Sequence, residues 1–102
     1  MSTQFVGSDG WLLCSLYGAK DPCDRTKLNE WGDFFNHAIF NDDEVEAGIV
    51  RLQAAGYAEV TNDQLYAITP KGRDFVLSNW DPKRGHIINM FAVSDALTSM
   101  QS

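Results

Sequence analysis

The chain's folding options narrow most between Phe40 and Arg73, in the run FNDDEVEAGIVRLQAAGYAEVTNDQLYAITPKGR, where start and stop signals for successive elements follow one another closely. Asn41 is a good N-cap, Glu44 three positions later can close a capping box, and Phe40 can pack on Val45 as a hydrophobic staple. Val45, Ile49 and Leu52 then recur at helical spacing as a buried stripe, and Gly56 supplies the left-handed residue that ends the helix after Ala55. Gly48 falls on the same inner side, where it costs the helix about 1 kcal/mol relative to Ala but admits close approach by a neighbour. Tyr57-Ala58-Glu59-Val60 and Leu65-Tyr66-Ala67-Ile68 read as strands joined by the polar loop Thr61-Asn62-Asp63-Gln64. Thr69 can cap the next helix, Pro70 suits its first position, and Phe75, Val76 and Trp80 give it an apolar side.

The flanks extend this series. Ser8 and Asp9 precede a first helix over Gly10–Tyr17, with Leu12, Leu13, Leu16 and Tyr17 at helical spacing before Gly18 ends the pattern. Asp21-Pro22 and Asp24 offer caps for a second helix, whose face is expected to carry Leu28, Trp31, Phe35 and then Ala38 or Ile39. After Asp81-Pro82, a less regular stripe of Ile87, Met90, Phe91, Ser94 and Leu97 predicts a fifth helix. Ile87, Phe91 and Leu97 are expected to form one apolar face, packed on the first helix or on a second copy. The expected fold is mainly α with a small β-hairpin, an α+β arrangement in the order α1-α2-α3-hairpin-α4 followed by α5. With 102 residues there is room for one core and no second domain, so 1–102 reads as a single domain with residues 82–102 as a helical extension.

Arg51-Leu52-Gln53-Ala54-Ala55-Gly56-Tyr57 leading to Leu65-Tyr66-Ala67-Ile68-Thr69-Pro70-Lys71-Gly72-Arg73 resembles a passage common in the winged helix-turn-helix superfamily, in particular the small cores of MarR-type and PadR-type bacterial regulators. The resemblance covers about a third of the chain closely. It implies a winged helix, with the third helix placed in the major groove of DNA and the hairpin, or wing, over a phosphate backbone.

The residues that such work needs are missing. With Val45 at the centre of the buried stripe, a step of about 100° per residue turns Asp43, Ala47, Val50 and Ala54 outward, with Glu46 and Arg51 flanking. Base-edge readout wants Arg, Lys, Asn or Gln near the helix start, yet Asp42, Asp43, Glu44 and Glu46 stand there. These acids complement the helix dipole and would repel phosphate. The wing contains Glu59 and Asp63 and no Lys or Arg. Half of the eight basic residues lie instead in Lys71, Arg73, Lys83 and Arg84, with His86 nearby. Four neutralised phosphates would give a log-log salt slope of about -3.6, shallower than that of regulators making more contacts. The leading expectation is therefore a non-catalytic interaction module, binding protein or a second copy through Asp43, Ala47, Val50 and Ala54 or through Ile87, Phe91 and Leu97. The alternative is a DNA-binding transcriptional regulator that contacts phosphates through Lys71, Arg73, Lys83 and Arg84.

Other chemistry finds little support. His37, near the end of the second helix, suits a helix dipole, and His86 lacks a companion at metal spacing. Asp42-Asp43-Glu44 lacks the alternating oxygen pattern of a calcium loop. No phosphate-binding glycine loop, GxSxG elbow or HExxH helix occurs, so neither enzyme activity, a cofactor nor a metal is expected. Cys14 is expected to pack in its helix and Cys23 to be exposed in a polar connection. The opening MSTQFVGSDG lacks an export pattern and no apolar run approaches the roughly 20 residues of a membrane span, so the expected setting is the cytoplasm.

Overall fold

The computed structural model describes residues 4–100, so the ends of the expected domain, 1–3 and 101–102, lie outside the description. Its described elements are α1 (Gly7–Ala19), α2 (Arg25–Asn36), α3 (Asp42–Ala54), β1 (Ala58–Val60), β2 (Tyr66–Ile68), α4 (Pro70–Ser78) and α5 (His86–Thr98). The architecture is mainly helical with one two-stranded antiparallel hairpin, in the order anticipated.

The first helix is central. Asp9 through Leu16 are buried without a break, so α1 has no solvent face along these turns and the other elements surround it. A helix enclosed on all sides must satisfy its own polar groups internally. The helix starts earlier than Ser8-Asp9 suggested, with Val6 at the N-cap and Asp9 inside the first turn, and it runs past Gly18 to Ala19. The Asp9 carboxylate, at the third helical position, accepts a hydrogen bond from the amide of the N-cap Val6 at 2.9 Å, as the acidic half of a capping box does.

In α2, Asp24 is the N-cap and accepts from the Lys27 amide at 2.9 Å. His37 ends it in the left-handed conformation, so Ala38 and Ile39 fall outside the helix and Ile39 is exposed. The turn into α3 is braced by Arg25, which donates to Asp42 Oδ1 at 2.9 Å and to the Phe40 carbonyl at 2.7 Å. Both halves of the Asn41–Glu44 capping box form, at 2.8 and 2.9 Å. Phe40 is buried and stacks on Trp11, with ring centroids 3.9 Å apart. At the other end of α3, the amides of Gly56 and Tyr57 donate back to the carbonyls of Gln53 and Leu52, the paired bonds of a Schellman stop, and Gly56 takes φ +83°.

The strands pair Ala58 with Ile68, Glu59 with Ala67 and Val60 with Tyr66. The α1–α2 connection adds an edge, because Cys23 and Tyr66 exchange amide and carbonyl bonds at 2.9 and 2.8 Å. Cys23 is consequently buried, contrary to the exposed position expected of it. Thr69 caps α4 through its hydroxyl oxygen, which accepts from the Gly72 amide at 3.0 Å while donating to the Gly56 carbonyl.

The tail is part of the core. α5 packs along α1 through Met90, Val93 and Leu97, and Ser94 donates to the Gly7 carbonyl at 2.8 Å. This corrects the expected phase of the helix: Leu97 is fully buried, Ile87 is intermediate, and Phe91 is 56% exposed. Apolar residues occupy every side of α5, so spacing alone could not select the inner one. The buried face also carries a polar residue, Asn89, whose amide bonds both the Asp81 amide and the Asp81 carbonyl at 3.0 Å and holds the α4–α5 connection. Truncation after Trp80 removes this face and uncovers α1. The shortened chain is expected to lose its cooperative urea transition, and an unchanged transition would show that α5 contributes no stability.

Candidate interaction surface

The outer face of α3 is set by an ion pair on its inner flank. Arg51, expected to flank the outward face, folds inward and binds the fully buried Asp9 through Nε at 2.7 Å and Nη2 at 2.9 Å. The hydrogen bond to Asp9 raises the Arg51 pKa against the opposing effect of burial, so the guanidinium stays charged. Gly48 makes room for the pair: a Cβ there would stand 3.0 Å from Asp9 Oδ1 and 2.7 Å from Leu12 Cδ2. The close approach anticipated for Gly48 is thus to α1 and its carboxylate.

With Arg51 withdrawn, α3 presents Asp43, Ala47, Val50 and Ala54 to solvent, as the helical phase predicted, and Val50 is 64% exposed. Glu46 is exposed beside them. α3 contains no other cation. Between the start of α3 and α5 lies a cleft of about 390 Å³ whose lining includes Glu44, Trp11, Met90, Phe91 and Ser94. Phe91 therefore adjoins the beginning of α3, whereas Leu97 and Phe91 share no surface.

Three of the four cations in the alternative phosphate-contact set bond helix ends. Lys71 donates to the Ala55 carbonyl at 2.9 Å, Arg84 to the Asn79 carbonyl at 2.9 Å, and Arg73 to the Lys20 carbonyl at 3.5 Å. Those carbonyls belong to the C-cap residues of α3, α4 and α1. Each cation thus sits at the negative end of a helix dipole, and Lys71 also lies 5.3 Å from the centroid of the Tyr57 ring. Lys83 is exposed on the α4–α5 connection.

A larger cleft of about 510 Å³ lies where the end of α1, the outer side of α2, α4 and the start of α5 meet. Its walls include Tyr17, Trp31, Phe34, Phe35, Trp80 and His86, with Lys20, Asp21 and Arg73 among its polar groups. The Phe34 and His86 rings stack at 4.4 Å, and Phe35 meets Trp80 edge to face. Sequence reasoning treated Trp31, Phe35 and Trp80 only as core residues. Their convergence depends on four elements distant in sequence and leaves no local signal.

The two cysteines are both buried. Burial pushes the Cys14 thiol up to about 12, and the Cys23 thiol is raised by burial first and Asp24 second, with Lys27 opposing. Among the described residues no three His, Cys, Asp or Glu side chains come together as metal ligands, and no helix is long and apolar enough to cross a membrane. No family model, curated protein or solved structure matches the chain.

Replacing Asp9 by Ala strands a guanidinium that is three-quarters enclosed. The expected cost in urea unfolding is about 3 kcal/mol, a large part of the roughly 5–15 kcal/mol typical of a domain, and Asp9→Leu combined with Arg51→Met should recover most of it. For the cysteines, iodoacetamide at pH 8 is expected to leave both thiols unmodified in the folded protein and to alkylate both in denaturant, read by mass spectrometry.

Proposed function

We propose that the chain is a winged-helix interaction module that binds another protein through the outer face of α3 and the adjoining flank of α5. The observation that carries this reading is the inward fold of Arg51, which leaves Asp43, Ala47, Val50 and Ala54 as an apolar and acidic surface. Small side chains permit close approach, Val50 offers an apolar centre, and Phe91 adds an aromatic group at the edge. The element order and the hairpin support the winged-helix assignment.

Charge selects the partner. Asp42, Asp43, Glu44 and Glu46 rim the start of the helix, so a partner with an apolar centre and Lys or Arg around it is complementary, while DNA phosphate is opposed. A second copy would bring the same acids to the contact, on a chain whose net charge is already -6.

The test uses Val50→Asp beside Leu77→Asp, since Leu77 is also exposed but lies on α4. Co-purification with the partner is expected to survive Leu77→Asp and to fall by about tenfold or more with Val50→Asp, the behaviour of a central interface residue. Light scattering is expected to give a monomer mass for both variants and for the unmodified protein. Equal retention by the two variants would move the interface away from α3. Salt-sensitive binding of duplex DNA in fluorescence anisotropy would replace this reading with that of a regulator.

A further inference from the structure

The cleft between the start of α3 and α5 adjoins the proposed protein-binding face, and its chemistry differs from that of the face itself. Much of its lining is apolar: Trp11 and Met90 are buried there, and Phe91 stands beside them with its ring mostly exposed. Its space of about 390 Å³ falls at the low end of the roughly 300–1,000 Å³ of small-molecule sites, which suits one long side chain better than a stretch of backbone. Among the described residues that line it, Glu44 alone is charged. The capping box holds that carboxylate in place, because Oε1 accepts from the Asn41 amide at 2.9 Å, and a carboxylate has acceptor sites to spare after one such bond. Ser8, Asn36 and Ser94 add neutral polar groups. The first residues of α1 also line the cleft, but the positive end of a helix dipole amounts to about half a unit charge against the full charge of Glu44, with Asp43 and Glu46 exposed beside it on α3.

An occupant matched to this lining is cationic at one end and apolar along the rest. Lys and Arg side chains both have such stems. The guanidinium is the better match, since it is weakly hydrated, stacks on aromatic faces and offers a planar fork of donors to a carboxylate and hydroxyls together, whereas an ammonium is a strongly hydrated point charge. We propose that an arginine side chain of the partner protein enters this cleft, with its guanidinium between Glu44 and the Phe91 ring and its stem over Trp11 and Met90. The proposal rests on the reading of the α3 face as a protein-binding surface and names the partner's anchor there. Val50 lies six positions further along α3, about 9 Å of helix rise, so one partner segment can set an apolar residue on Val50 and the arginine at Glu44.

The cleft can be probed without the partner. In nitrogen-15 NMR titrations of the full chain with N-acetylarginine methylamide, the backbone amides of Ser8, Glu44 and Phe91 are expected to shift with saturation, while those of Tyr66 and Ala67 in the hairpin stay in place. The citrulline analogue, alike in shape but uncharged, is expected to bind about fivefold more weakly, as for loss of a partly exposed ion pair. Glu44→Gln keeps an oxygen for the Asn41 amide, so the capping box and the fold remain, and it should abolish that preference and lower partner capture about fivefold. No saturation, equal affinity for the two analogues, an undiminished preference in Glu44→Gln or undiminished capture by it would each overturn the proposal. The anchor and the α3 face fail separately. Capture lost in Val50→Asp without any arginine binding would sink the anchor and leave the face standing. Arginine binding that depends on Glu44, with capture lowered by Glu44→Gln and unaffected by Val50→Asp, would uphold the anchor and remove the α3 face from the interface.

Discussion

A helix with no free side has to find partners for its polar side chains inside the protein, and from Asp9 to Leu16 α1 is such a helix. Its burial begins at Asp9, whose carboxylate accepts from the part-buried Val6 amide. A buried carboxylate in turn needs a counter-charge, and Arg51 is the one that reaches it. Because Arg51 belongs to α3, satisfying α1 fixes the rotation of α3 about its own axis. Gly48 permits the approach, and Val45, Ile49 and Leu52 follow it into the core. The composition of the outward face is therefore a by-product of how the central helix is completed.

The same economy governs the other cations. Arg25 holds the α2–α3 turn, while Lys71, Arg73 and Arg84 each meet the carbonyl of a helix C-cap. A cluster that looks in sequence like a phosphate-binding patch is distributed among three helix ends. Each of these charges stands at the negative end of a helix dipole. Of Lys71, Arg73 and Arg84, Arg73 has the longest such bond and lies beside a cleft.

Legibility followed interaction range. The Asn41–Glu44 box, the Gly56 stop and the Thr69-Pro70 start join residues within a few positions of one another, and each was readable because short-range geometry leaves few alternatives. The outward turn of Asp43, Ala47, Val50 and Ala54 followed from helix period alone. The Asp9–Arg51 pair spans 42 positions and the Cys23–Tyr66 bridge joins a loop to a strand. Neither has a local pattern. In α5, the apolar residues of every face and the polar Asn89 on the inner one concealed the phase that α1 imposes. The aromatic cleft was hidden because its rings serve also as core residues, and only their spatial meeting leaves a space between them.

The hairpin is closed at its base by atoms that belong to the flanking helices. Thr69 binds the Gly56 carbonyl and the Gly72 amide through one hydroxyl, and its own amide donates to the Tyr57 carbonyl at 3.1 Å. Chain entry and exit are thereby joined at the base by bonds outside the strand ladder. The tip at Asn62 and Asp63 is exposed and takes no part in that closure. Loop-closure entropy rises only slowly with length, by about 0.6 kcal/mol per doubling. The tip is therefore a place where evolution or an engineer can lengthen, relabel or recode the chain while the helical body stays as it is.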